Sequence, residues 1–327
     1  MEVRLYQKIN DKTECLLCPN NCKLKEGQSG LCNIRENVNG NIINPYSGII
    51  SSSGIDPIEK KPLYHFYPGS EIYSIGFFGC TLKCQFCQNW QISQNKPLDY
   101  FKKISPEDFV LYLKKNNFNK IAYTYSEPTL YYEWVLETAK LCRKNDIKNV
   151  IVTNGYLNKE PAKELLKFID AANIDLKGAD DQFYKKNCNG KIEPVKEFIK
   201  IAFDLNVHIE LTTLVITNTN DSMEDCKKIM DFIKSISTDI PFHISRYHSA
   251  YKFNLPPTQE KTIKDWVNYA KNHLNFVYGG NVLFDNDTYC HNCKSLLIKR
   301  NFYLVSLIGI DNKGICLKCS SKNNIIM

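Results

Sequence analysis

A chain of 327 residues, 43% hydrophobic and 24% charged, is sized for one main domain with small appendages and is too apolar to be disordered. Its net charge of +7 is scattered in pairs such as Lys60-Lys61, Lys185-Lys186 and Lys227-Lys228, which read as solvated faces and argue against a nucleic-acid partner. The first residues lack a basic segment leading into an apolar run, and no stretch approaches the roughly 18 apolar residues that span a bilayer. A cytoplasmic protein without a membrane partner is the expectation.

Residues 1 to 70 read as a cysteine-rich N-terminal module. Fourteen cysteines are too many for casual core filling, and eleven of them fall in three tight groups. The first group is Cys15-x2-Cys18-x3-Cys22 with Cys32. Four such thiols suit either structural zinc or an auxiliary iron-sulfur cluster, and the spacing leaves both open. His65 interrupts the apolar run Leu63-Tyr-His-Phe-Tyr67 and is a candidate to touch substrate or position a hydrogen donor, the alternative being a satisfied core residue.

Residues 71 to 285 alternate β-rich runs with amphipathic stretches, the pattern of a parallel sheet with crossover helices. Strands are predicted at 72–77, 121–125, 150–153, 172–176, 209–215, 242–247 and, more weakly, 276–278. Helix starts are visible at Ser105-Pro106-Glu107-Asp108, Glu127-Pro128, Pro161 and Glu193-Pro194. Polar residues gather where each strand ends, as a βα barrel enzyme requires. No GxGxxG loop follows a strand, which disfavours a dinucleotide cofactor.

Directly after the first predicted strand stands Gly79-Cys80-Thr81-Leu82-Lys83-Cys84-Gln85-Phe86-Cys87-Gln88-Asn89-Trp90. Three thiolates of a CxxxCxxC loop can hold three irons of a 4Fe-4S cubane and leave the fourth open. Zinc completed by a distant ligand is the alternative, and the position at a strand end weighs against it. Cys142 and Cys226 lie in helical stretches as packing residues, while Cys188 has no assigned role.

Residues 286 to 327 form a C-terminal module in which Cys290-x2-Cys293 and Cys316-x2-Cys319 are 22 residues apart, with β-rich sequence between. Two such pairs supply the four thiolates of a zinc ribbon. Metal-ligand energy would stand in for the core that so short a module lacks.

The CxxxCxxC loop followed by Gln-Asn-Trp resembles the radical S-adenosylmethionine (SAM) superfamily, in the branch similar to pyruvate formate-lyase activating enzymes. With Cys15-Leu-Leu-Cys-Pro-Asn-Asn-Cys22, Gly27-Gln-Ser-Gly-Leu-Cys32 and Asp56-Pro-Ile-Glu-Lys-Lys-Pro-Leu-Tyr-His-Phe-Tyr-Pro-Gly69, the chain looks more narrowly like the radical SAM enzyme of the AmmeMemoRadiSam system. The resemblance implies an α/β fold, a partial (βα)6 TIM-like barrel flanked by the two small metal-binding modules. It also implies a 4Fe-4S cluster on Cys80, Cys84 and Cys87, SAM as second cofactor, and oxidoreductase chemistry of the activating-enzyme kind.

By the same resemblance Ser126 and Glu127 stand where a glycine-glycine-glutamate loop usually meets the SAM amine, although both glycines are missing here. Asn154 would line the nucleoside, and Asp175 and Lys177 would meet ribose and carboxylate. Arg246 and His248, with Tyr251, are further substrate candidates. The implied partners are a ferredoxin or flavodoxin as electron donor and the other proteins of the system. Two alternatives stay open: an activating enzyme for a glycyl-radical enzyme, and a metal-binding nucleic-acid module without SAM chemistry.

Overall fold

The computed structural model describes residues 3–98 and 101–327. Its centre is one eight-stranded sheet in strictly sequential order. Strand β1 (Ser52–Pro57) runs antiparallel to β2 (Glu71–Gly76). Strands β3 (Lys120–Thr124), β4 (Lys148–Thr153), β5 (Ala171–Asp175), β6 (His208–Val215), β7 (Phe242–Arg246) and β8 (Val277–Gly280) follow, each parallel to the one before. The apolar runs of β2 to β8 are covered on both faces, which is why they lack a polar alternation. Among the described residues β8 is not paired with β1, so the barrel is partial, as expected.

All seven predicted strands are present within a residue or two of their expected limits. The eighth, β1, was not foreseen because Ser-Ser-Gly-Ile-Asp-Pro offers no apolar alternation; it is a half-exposed edge. The central sheet therefore begins before residue 71.

Helices α1 (Pro106–Lys115), α2 (Tyr132–Lys144), α3 (Lys159–Leu166), α4 (Glu193–Asp204), α5 (Met223–Ile236) and α6 (Glu260–Lys271) cover the sheet. The Ser105 hydroxyl caps α1 by accepting from Asp108 N at 3.0 Å, ahead of Pro106 in the first turn. In α6 the buried residues Ile263, Trp266, Val267 and Ala270 recur at helical spacing, and in α5 Cys226, Ile229, Met230 and Ile233 do the same. Cys226 is thus a packing residue. So is Cys142, buried on α2. Each large apolar side chain on such a stripe contributes roughly 1.5–3 kcal/mol of burial.

The flanks attach differently. Three short strands, Tyr6–Ile9, Lys12–Cys15 and Lys23–Leu24, and the hairpin Glu36–Val38 with Asn41–Ile43 send Leu17, Cys32, Ile34 and Ile42 into the core of the barrel itself. The C-terminal strands Thr288–Tyr289, Leu296–Asn301 and Leu304–Leu307 enclose a small core of their own. The chain's end then returns to the barrel, where Tyr67 N donates to Ile326 O at 2.7 Å and Ile326 N to His65 O at 2.8 Å. Among the described residues no helix is long and apolar enough to cross a membrane.

Candidate active site

The cysteine loop leaves the C-terminal end of β2 through Gly79, whose φ of +81° is a left-handed conformation. A Cβ there would lie 2.3 Å from Ile34 Cγ1 and 2.8 Å from Cys32 O. Only glycine lets the loop pass so close to the N-terminal module. Cys84 is buried, and Cys80 and Cys87 are half-buried. Burial raises the Cys80 and Cys87 thiols above their ordinary range, and the hydrogen bond with Cys188, together with burial, raises Cys84.

Donors surround the sulfurs. Cys80 Sγ accepts from Leu82 N and from Asn154 Nδ2, both at 3.4 Å, and Cys87 Sγ meets Ser93 Oγ at 3.1 Å. The Cys188 thiol stands beside Cys84, and the Lys177 cation opposes the burial of both Cys84 and Cys87. The three Sγ atoms do not converge within 4.8 Å as ligands of one ion would. Thiolates on separate irons stand farther apart, so the loop fits a cubane and not a single zinc.

The next strand ends complete one rim. Tyr125 takes φ +66° where a glycine would be at ease. Its hydroxyl donates to Asp56 Oδ2 at 2.5 Å, its carbonyl accepts from Asn89 Nδ2 at 2.5 Å, and the Lys61 ammonium lies 4.5 Å above its ring. These anchors offset a backbone cost of about 1–2 kcal/mol. The peptide run expected to meet SAM is thereby fixed without glycine.

Ser126 Oγ donates to Phe77 O at 2.8 Å. Glu127 is not free to greet a ligand. Its Oε1 accepts from Thr129 N, Thr129 Oγ1 and Thr153 Oγ1 at 3.1, 2.7 and 2.8 Å, and its Oε2 from Asn154 N at 2.9 Å. The side chain is a buried brace between the loops after β3 and β4, and burial raises its carboxyl above the usual range. Asn154, held by that brace, reaches both Cys80 and Thr81. Lys177 Nζ pairs with Asp175 Oδ2 at 2.8 Å, and its cation lies near Cys84.

The other candidates separate. His248 Nε2 approaches Gln88 Nε2 at 3.3 Å and Tyr251 stacks on Trp90 with centroids 5.4 Å apart, so the segment after β7 leans over the cysteine loop. Phe86 packs between Phe183 and Phe253 there. Arg246 turns aside, donating to Thr258 O at 2.6 Å and facing Glu260.

His65 lies at the opposite, N-terminal end of the strands. It is fully buried between Asn324 O at 2.7 Å and Tyr278 OH at 2.6 Å, and burial pushes it down to about 3. The structure does not bring it to the rim; it is a neutral polar group satisfied in the core. That is the common fate of a lone histidine in an apolar run, and its partners come from distant segments. Cys188, by contrast, acquires a place beside Cys84 that its sequence surroundings did not reveal.

A rim that combines a CxxxCxxC loop after the first parallel strand with polar strand ends matches known proteins. The Radical SAM superfamily model matches residues 74–233. Uncharacterized protein MJ0808 of Methanocaldococcus jannaschii is 41% identical over 334 residues, 100% of this chain and 99% of its own. The chain belongs to the radical SAM superfamily. The pyruvate formate-lyase-activating enzyme of Clostridium pasteurianum is 27% identical over 57% of this radical SAM chain and 82% of its own. Streptococcus suis SuiB bound to S-adenosylmethionine shares the fold, with a TM-score of 0.51 at 17% identity over 64% of this chain and 52% of SuiB. Membership implies an iron-sulfur cluster and SAM.

The C-terminal cysteines of this radical SAM protein are arranged otherwise. The Sγ atoms of Cys290, Cys293, Cys316 and Cys319 all lie within 4.8 Å of one another, the one such group among the described residues. Cys290 and Cys319 are 3.6 Å apart, and Cys293 and Cys316 are 3.7 Å apart. Zn–S bonds of about 2.3 Å give a tetrahedron with edges of roughly 3.8 Å. Hydrogen bonds led by Ser321 push Cys319 down to about 6, toward the thiolate a metal needs.

Proposed function

We propose that the chain is a radical SAM oxidoreductase that cleaves SAM reductively and abstracts hydrogen from a substrate at the rim of β2 to β7. The observation that carries this reading is the clustering of Cys80, Cys84 and Cys87 with the Asp175–Lys177 pair and Asn154 at one end of the sheet. Cys80, Cys84 and Cys87 would hold a 4Fe-4S cluster, which would supply the electron for reductive cleavage of SAM.

The chain's residues do the rest. Lys177 offers a cation to the SAM carboxylate, and Asp175 offers an acceptor to an ammonium or ribose hydroxyl. Asn154, immobilised by Glu127, orients the nucleoside side of the site. Ser126 and the fixed peptide of Tyr125 supply the edge that faces the amine. Phe86, Phe183 and Phe253 shield the cysteine loop from water. His248 is the substrate-side candidate the geometry favours, since it reaches Gln88 of the loop beside the Tyr251–Trp90 stack, whereas His65 and Arg246 turn elsewhere.

The electron donor in this reading is a ferredoxin or flavodoxin, and the other proteins of the AmmeMemoRadiSam system, whose radical SAM enzyme the chain resembles, are its further partners. A reducing, cytoplasmic and low-oxygen setting suits its fourteen free cysteines. A second reading, activation of a glycyl-radical enzyme, is favoured by the Clostridium pasteurianum relative. That match covers 57% of the chain.

The test is anaerobic incubation of reduced, reconstituted protein with SAM. Formation of 5'-deoxyadenosine and methionine is expected; iron-loaded protein that yields neither sinks the reading. The C-terminal cysteines hold zinc in this proposal. Stripping with a chelator at neutral pH is expected to release about one zinc per chain and to speed amide exchange in residues 286–327 while the barrel stays protected. Unchanged exchange in that segment would show the metal to be dispensable there.

A further inference from the structure

Cys15, Cys18, Cys22 and Cys32 line a small cavity between the N-terminal strands and the barrel. Three of the four are buried, and Cys22 is half-buried. They form four-cysteine set number two of this chain, and it differs from the C-terminal one in a telling way. There the sulfurs are already drawn together to the edge lengths of a zinc tetrahedron. Here no three of them come within 4.8 Å of one another. One zinc ion would have to draw all four sulfurs to roughly 3.8 Å.

Two further features point into that space. Gly30 lies against it, and a Cβ there would stand 3.5 Å from Cys22 Sγ and 3.6 Å from Cys32 Sγ, so any side chain would begin to fill the room between them. Arg35, only 1% exposed, forms part of the wall. Its Nη2 pairs with Glu133 and its Nε donates to Leu130 O at 3.3 Å, but its Nη1 has no partner. A buried guanidinium N–H left without an acceptor costs about 1–3 kcal/mol. An anionic, sulfur-rich group held by the four thiolates would provide that acceptor.

We infer that Cys15, Cys18, Cys22 and Cys32 hold a second, fully cysteine-ligated 4Fe-4S cluster, with Arg35 Nη1 donating to one of its sulfurs. Four thiolates on separate irons account for the open spacing, and Arg35 for part of the charge. The site lies next to the first one. Cys32 O abuts Gly79, the residue before Cys80, and Asn20 Nδ2 donates to Thr81 O at 2.8 Å. The assignment does not depend on SAM chemistry at the loop.

The experiment uses the full chain with Cys80, Cys84 and Cys87 all replaced by Ala, reconstituted anaerobically with ferrous iron and sulfide. It is expected to keep about four irons and four sulfides with about one zinc per chain, and to give a cluster signal by electron paramagnetic resonance after reduction. Adding Cys15→Ala and Cys22→Ala is expected to abolish that iron. Two zincs, or no iron, in the first variant overturns the inference, as does iron that survives the added substitutions. If the loop variant does not fold, the unaltered protein decides: about eight irons and one zinc support it, and about four irons and two zincs overturn it. Failure of the loop assignment is separately visible, as equal iron in the unaltered protein and the loop variant.

Discussion

Cys84→Ala is expected to lower bound iron by about four atoms per chain and to cut 5'-deoxyadenosine formation by more than about a thousandfold. Cys84 is the most buried of the three loop thiols, and its neighbours Cys188 and Lys177 complete its surroundings. Two remaining thiolates cannot hold a cubane open at one corner. Cys188 is close enough to act as a substitute ligand, so the double variant Cys84→Ala/Cys188→Ala is the stricter arm. Normal iron and product in both would falsify the loop assignment. Cys188→Ala alone should retain iron and SAM cleavage. Loss of one thiol donor worth about 1 kcal/mol moves the cluster's midpoint down by on the order of 40 mV, measurable by redox titration.

Glu210→Ala is expected to destabilise the fold by roughly 3–5 kcal/mol in a denaturant titration. Glu210 is completely buried on β6. Its carboxylate accepts from Tyr64 N and His65 N at 3.0 and 2.7 Å, and from the Nε2 atoms of His208 and His243 at 3.1 and 2.7 Å. Burial pushes this carboxyl up, but the hydrogen bonds of His208 and His243 outweigh burial and hold it well below the usual range. Alanine would leave four buried donors without an acceptor. A cost under about 1 kcal/mol would show that water or rearrangement replaces the carboxylate. The same variant tests the placement of His65: a structural role predicts lost stability with SAM cleavage intact in the molecules that remain folded.

Much of this was legible from the chain. Strands β2 to β8 announce themselves as apolar runs, Ser105-Pro106 as a helix start, and the cysteine spacings as metal sites, since each signal is local. The parts that were not legible depend on distance. Glu127 looks like an acid at a helix start, and what makes it a brace is Thr153 and Asn154 across two strands. His65 looks like a polar intruder in an apolar run because Glu210, Tyr278 and Asn324 lie 145, 213 and 259 residues away. Ser126 and Tyr125 lack the glycines such a loop usually carries, and only the contacts of Asp56, Lys61 and Asn89 show how a tyrosine holds the left-handed turn. The two sets of four cysteines read alike as text and diverge only in how far their sulfurs stand apart.

The sequential order of the central strands has a kinetic consequence. Every pairing from β1 to β8 joins neighbours along the chain, so each loop closed is short and the sheet can zip up step by step. The floor of the barrel obeys the opposite rule. Arg300 Nη2 must come back 236 residues to Tyr64 O, and Asn324 O must come back 259 residues to His65. Contacts so far apart in the chain are expected to close late. With a metal on Cys290, Cys293, Cys316 and Cys319, as proposed, its capture would be a late checkpoint of assembly, and a cell short of that metal would accumulate a rim that is finished over a floor that is not.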